Sequence, residues 1–212
     1  MSFQYLNTPP IIPSPEGVFS FSVPAKTDIW RKPPTLDVFS APVAYRKIPI
    51  QQFRRARVTV SGDWRTLYDQ GGLVIILPQS QHGYDTSNTH KRWVKAGVEF
   101  HDNSPKVSVV SADSWADWSL LPVGKSDTEQ DDAITIVCER ECNSDGTFGA
   151  GLHVYLAGVN GEKKIMIREV TWPFFGVGED DTVDVGIYAA RPTPDERESL
   201  TVKLKDFVIE LV

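Results

Sequence analysis

In the stretch WVKAGVEF, residues 93–100, Trp93, Lys95 and Glu99 alternate with Val94, Ala96, Val98 and Phe100. Successive side chains of a strand point to opposite faces, so the first three share a face with Gly97 and the other four share the face expected to enter a core. A ring that stacks, a cation and a carboxylate in one row can hold a polar ligand. The same row also describes a solvated, salt-bridged sheet face. Same-face neighbours lie ~7 Å apart, too far for an ideal Lys95–Glu99 pair, so either a ligand or a counter-ion from a neighbouring strand is expected to bridge them. Gly97 is expected to leave open space between the two.

Other segments carry candidates of the same kind. In LYDQGG, 67–72, Tyr68, Asp69 and Gln70 enter an otherwise apolar strand, where unpaired polar groups are costly. Asp69 is expected to pair with Arg168 or Lys95, or to accept backbone hydrogen bonds. In SADSWADWS, 111–119, Trp115 and Trp118 are expected to pack a loop against the sheet edge, with Asp113 or Asp117 anchoring a turn. Tryptophan stacks on the apolar face of a sugar ring, but it also fills cores. Arg168 in KIMIREV, His153 and Tyr155 in LHVYL, and Tyr188 in DVGIYAA offer further polar or aromatic groups on outer faces. WRKPP, 30–34, reads as an ordered lid with Trp30 as its anchor.

Hydrolysis of a glycosidic bond needs two carboxylates, about 5–5.5 Å apart for retention or 6.5–9.5 Å for inversion. Glu99 is the acid/base candidate, with Asp69 or Asp117 as partner. The strand itself carries only one carboxylate, and Lys95 favours the ionised form of a nearby glutamate. His82, His90, His101 and His153 have no close ligand spacing, and no zinc-protease, P-loop, dinucleotide or serine-elbow pattern occurs. The acidic run DTEQDD, 127–132, lacks the glycine-centred calcium-loop pattern. Neither a metal nor a cofactor is expected.

The elements that position these residues are strands. A period of two runs through VFSFSV (18–23), RRARVTVSG (54–62), WVKAGVEF, KVSVVS (106–111), AITIVCE (133–139) and LHVYL (152–156). It continues in KIMIREV (164–170), DVGIYAA (184–190) and LTVKLKDFVIEL (200–211). Such runs between Gly, Asp, Asn and Pro turns predict an all-β, two-sheet sandwich. GGLVIIL, 71–77, is apolar on both faces, as a central strand covered on both sides would be. No segment predicts a long amphipathic helix. PQSQHGYDTSNTHKR, 78–92, is a long polar connection, and PDERES, 194–199, a charged loop or short turn. Residues 1–17 read as an N-terminal extension to one domain spanning 18–212.

A chain of 212 residues can bury a substantial core, and its 41% hydrophobic content argues against disorder. A net charge of −6 argues against a general nucleic-acid or anionic-membrane surface. The stretch MSFQYLNTPPIIPSPEG has no basic region followed by an apolar run and is not expected to act as a signal peptide, and no run approaches the length needed to span a bilayer. Cys138 and Cys142 would lie ~13 Å apart on a continuous strand, so they are expected to stay reduced and structural. Without a histidine cluster nearby they do not read as a zinc site.

Taken together, DIWRKPP, YDQGGLVI, WVKAGVEF, VVSADSWADWS, MIREVTW and DVGIYAARP, followed by the strand containing Phe207, resemble a largely uncharacterised family. It is the "regulation of enolase" family of the concanavalin A-like lectin/glucanase superfamily. The resemblance covers roughly residues 18–210. It implies a jelly-roll sandwich with a concave sheet, on which Trp93, Lys95, Glu99 and Arg168 share a face with Tyr68, Asp69 and Gln70 nearby. The usual short connection after YDQGGLVI looks expanded into the 78–92 loop, which would cover the groove or alter its choice of partner.

Three functions stay open. The leading expectation is a non-catalytic, cytoplasmic module for a carbohydrate or other small polar ligand. Trp93 or Tyr188 would stack, Lys95, Glu99, Asp69 and Arg168 would bind hydroxyls or an acidic group, and Tyr68, Gln70, Asp117 and Trp118 would complete the site. The second is a scaffold whose outer face binds a protein partner. The third is a glycoside hydrolase. The superfamily does not decide among them, because function resides in the site.

Overall fold

The computed structural model describes residues 2–79, 91–123, 133–158, 163–194 and 199–212. The expectations for the interior of the 78–92 connection, for DTEQDD and for most of PDERES fall outside these residues. Among the described residues there is no helix. Seven antiparallel strands form one sheet in the order β1 (Gln4–Leu6), β5 (Val43–Pro49), β14 (Thr182–Ala190), β7 (Gln70–Leu77), β8 (Arg92–His101), β9 (Ser104–Ala112) and β10 (Ala116–Pro122). Six form the second: β13 (Lys164–Val170), β12 (Phe148–Ala157), β11 (Ile134–Cys142), β6 (Phe53–Gly62), β15 (Leu200–Leu211) and β2 (Phe19–Val23). A separate hairpin joins β3 (Ile29–Lys32) to β4 (Leu36–Phe39).

The alternation of apolar side chains sets the layers. Val94, Ala96 and Val98 of β8, with Leu73, Ile75 and Leu77 of β7, meet Val58, Val60, Ile136, Val154, Val202 and Leu204 of the facing sheet in the main core. The opposite residues of β7, Val74 and Ile76, enter a second core with Trp93, Val110 and Ile29. GGLVIIL is therefore covered on both sides, as its composition predicts. What covers the outer side is the β3–β4 hairpin, packed over the seven-stranded sheet.

The hairpin is fastened by Arg31, which is 1% exposed. Its guanidinium donates to Asp37 at 2.9 Å and to the backbone carbonyls of Asp113 (2.9 Å) and Lys91 (2.7 Å). The lid is thus anchored by Arg31 and the fully buried Ile29. Trp30, the expected anchor, stays half-buried because it points along the opposite face of the same short strand.

The segment read as an N-terminal extension contributes β1, which pairs with β5. Gly97 does not open space above the sheet. It stands opposite Gly72, and a Cβ there would lie 2.0 Å from the Gly71 carbonyl oxygen and 2.7 Å from the Gly72 Cα. The two glycines let β7 and β8 approach more closely than side chains permit. Cys138 is buried in the main core, which pushes its thiol up to about 12, while Cys142 is exposed; neither is bridged. No described helix is long and apolar enough to cross a membrane.

Candidate functional site

A cleft of about 430 Å³ opens beside the lid hairpin, on the outer side of the seven-stranded sheet. Its floor is built from neighbouring strands. Gln70 of β7 stands opposite Glu99 of β8, and the Gly72–Gly97 pair separates them from Lys95. Lys95 extends past that pair, and its Nζ donates to Gln70 Oε1 at 2.6 Å. The Tyr188 hydroxyl donates to the same oxygen at 3.3 Å. Asp28, just before the lid hairpin, brings its carboxylate Oδ1 to 3.8 Å from Lys95 Nζ and accepts from Gln70 Nε2 at 3.4 Å. Glu99 accepts from the Ser108 hydroxyl of β9 at 2.7 Å, and Trp118 Nε1 donates to Ser108 Oγ at 3.2 Å.

Lys95, Gln70 and Glu99 are all buried, at 2%, 2% and 5% exposure. Burial lowers the Lys95 ammonium's pKa, against the pull of the Asp28 and Glu99 charges. Burial likewise raises Asp28 and Glu99, while Lys95 acts in the opposite direction on both. The Tyr188 hydroxyl is raised well above its usual value by burial and by the same two carboxylates.

Aromatic rings form the walls. Trp118 lies 6.1 Å from Trp30 and 6.1 Å from Tyr68, nearly perpendicular to each. Tyr68 holds a left-handed backbone, φ 69°, which is sparsely populated for residues other than glycine. It is kept there by two backbone bonds, Tyr68 N–H to the Phe100 carbonyl and Phe100 N–H to the Asp69 carbonyl, each 2.8 Å. Asp69 supports the same turn by accepting from the Arg65 and Thr66 amides at 3.1 and 2.9 Å.

The structure brings together Tyr68, Gln70, Lys95, Glu99 and Trp118 around the cleft. Tyr188 joins their hydrogen-bond network from beneath. The remaining sequence candidates lie elsewhere. Trp93 is 0% exposed in the second core under the lid, and its Nε1 has no partner among the described residues. Neither it nor Tyr188, at 1% exposure, presents a ring for stacking. Each instead places its ring 5.8 Å from Lys95 Nζ, within cation–π range.

Asp69 faces neither Arg168 nor Lys95. It is fully buried and paired in two-point fashion with Arg191, at 2.7 and 2.8 Å. Arg168 belongs to the six-stranded sheet, so it cannot share the Lys95 face; it reaches over the sandwich edge to Asp117 and, at 3.1 Å, to the Ser119 hydroxyl. His153 and Tyr155 lie in that same second sheet. Trp118 is on β10 rather than in a loop, and Trp115 is 46% exposed.

Sequence reasoning missed Asp28 and gave Trp30 the wrong duty. Both stand in DIWRKPP, where a carboxylate beside a tryptophan was the available signal. Among the described residues no group of three His, Cys, Asp or Glu could hold a metal ion.

The two facing antiparallel sheets define an all-β jelly-roll sandwich with a concanavalin A-like fold. The chain belongs to a family described as proteins of unknown function, DUF1349, whose profile matches residues 5–211. An uncharacterised protein of Emericella nidulans, AN7484, is 40% identical over 195 residues, covering 91% of this chain and 86% of that one. Regulation of enolase protein 1 of Saccharomyces cerevisiae is 26% identical over 121 residues, 57% of this chain and 54% of that one. Among solved structures, a functionally unknown protein from Saccharomyces cerevisiae superposes with a TM-score of 0.74 at 20% identity, covering 99% of this chain and 96% of that one. The alginate lyase from Klebsiella pneumoniae superposes with a TM-score of 0.56 at 9% identity, covering 95% and 84%.

Proposed function

We propose that the cleft is a binding site for a small sugar-like ligand and that the protein is a non-catalytic recognition module. One observation carries this reading: a buried polar floor of Lys95, Gln70 and Glu99 lies directly beneath Trp30, Tyr68 and Trp118. Sugars have apolar ring faces and polar rims, so such a combination meets both. The cleft volume falls within the ~300–1,000 Å³ typical of small-molecule sites. In this reading Trp118 and Trp30 stack, while Glu99 and Asp28 accept from hydroxyls. The fold-level analogy with the alginate lyase from Klebsiella pneumoniae is in keeping with a saccharide ligand. A cytoplasmic setting belongs to the same reading, with the two unbridged cysteines in its favour.

Hydrolysis has less support. Asp69 is locked to Arg191 and Asp117 is held by Arg168, so neither partner considered for Glu99 faces the cleft. Glu99 and Asp28 do line it together, but Lys95 is ion-paired with one and exerts a charge on the other.

The test is titration calorimetry against a panel of neutral, amino and acidic mono- and oligosaccharides, with Trp118→Ala as the control variant. Saturable binding by wild type, lost in a folded Trp118→Ala protein, is expected. Silence across the panel overturns the reading and directs attention to a protein partner for the outer face.

A further inference from the structure

We infer that the ligand carries a protonated amine, so that within the sugar reading above the preferred class is an amino sugar and sugar acids are rejected. The inference starts from an imbalance in the floor. A buried carboxylate, Glu99, a half-buried one, Asp28, and one buried ammonium meet there. Lys95 makes its ion pair with Asp28, at 3.8 Å. Glu99 forms no ion pair within 4 Å among the described residues; it accepts from the neutral Ser108 hydroxyl at 2.7 Å, which in turn accepts from the Trp118 indole. A carboxylate at 5% exposure thus feels the Lys95 charge from a distance but has only a neutral hydrogen-bond donor, at the wall of an open cleft. Lys32 stands at the mouth, but its side chain is exposed and water and salt weaken its reach.

Both carboxylates keep acceptor capacity. An ionised carboxylate offers about four lone-pair sites, of which the Ser108 hydroxyl takes one on Glu99. In Asp28, the Ile29 amide, Gln70 Nε2 and Lys95 all approach Oδ1. An ammonium with its three donors matches such a set better than hydroxyls, because it also supplies the missing charge.

The walls favour the same ligand. Ring faces of Trp and Tyr are electronegative and attract cations within about 6 Å of the ring centroid. Trp30, Tyr68 and Trp118 stand nearly at right angles around the cleft, at 82° and 71° about Trp118. A cation placed among them meets more than one ring. A ligand carboxylate would face two like charges, with the single buried cation already engaged.

Titration calorimetry of the intact wild-type protein with glucosamine, glucose, glucuronate and choline at pH 6.5 tests this directly. Glucosamine is expected to bind at least tenfold more tightly than glucose, with glucuronate weakest, and the advantage over glucose is expected to collapse in Glu99→Gln. The wild-type comparison alone decides if that variant fails to fold. Glucose or glucuronate matching glucosamine would overturn the inference while leaving the sugar reading in place. Choline and glucosamine binding alike, with glucose silent, would uphold the cation and overturn the sugar. No binding of any probe would overturn both.

Discussion

Lys95 and Asp28 face each other across 3.8 Å at the base of the cleft, the lysine 2% exposed at its side chain and the aspartate 22%. The first comes from a central strand and the second from the chain entering the lid. Their pairing therefore couples the lid to the sheet as well as balancing charge.

Replacing Lys95 by methionine leaves Asp28 and Glu99 buried without their cation. Removing one partner of a buried pair costs about 3–5 kcal/mol, and the lower figure is expected here because Asp28 is partly open to water. The loss depends on pH. Both carboxylates already sit above their ordinary range through burial, and losing Lys95 raises them further. Between the ordinary and the raised value the folded protein binds more protons than the unfolded chain, so the variant's stability increases as pH falls through that window. Thermal melts at pH 5 and pH 8 should show a smaller deficit at pH 5.

Asp69→Asn breaks the paired contact with Arg191, inside which both groups are nearly devoid of solvent. A loss of about 3–5 kcal/mol is expected in denaturant titrations, because the arginine remains buried with this partner's charge gone. Since this pair shapes the Tyr68 turn, a weaker ligand affinity should accompany it, whereas a catalytic role for Asp69 would predict lost turnover in a stable protein.

Trp93 and Trp118 should exchange the roles their spacing implies. Trp93→Ala empties a fully buried site and is expected to cost about 3–5 kcal/mol. Trp93→Phe keeps most of the packing and removes an indole N–H that has no partner among the described residues, so a smaller loss and unchanged ligand affinity are expected. Trp118→Ala, at a half-buried wall, should abolish binding at a cost of about 1 kcal/mol or less. Differential scanning fluorimetry beside calorimetry separates the three.

Gly97→Ala tests the glycine pair. Its new Cβ would meet backbone atoms rather than a flexible side chain, so β7 and β8 must separate. Overpacking of this kind costs about 1–3 kcal/mol and sometimes more. Amide exchange should quicken in β7 and β8 first, ahead of the six-stranded sheet.

The residues differ in how much of this their sequence made legible. Alternation placed Val94, Ala96 and Val98 in the core and put Lys95 with Glu99 on the other face, because strand geometry leaves a side chain only two directions. The fate of that other face was not local information. Trp93 is buried by Ile29 and its hairpin, and Lys95 finds Asp28, through contacts between segments far apart in the chain. Arg168 shows the same limit: a period of two assigns it a face but does not say which sheet owns the strand. Asp69 was legible as costly to bury, and its partner Arg191 came from the end of the next strand over.

The lid hairpin pairs only with itself, yet the segment from Asp28 to Lys32 supplies one carboxylate, one aromatic wall and the mouth lysine of the cleft. Part of the cleft's lining is therefore carried by a short ribbon outside both large sheets, while its floor belongs to the sheet itself. In the binding reading proposed above, substitutions at 30 and 32 are expected to alter which ligand the cleft admits while both large sheets keep their hydrogen bonds, provided Ile29 and Arg31 keep their seats.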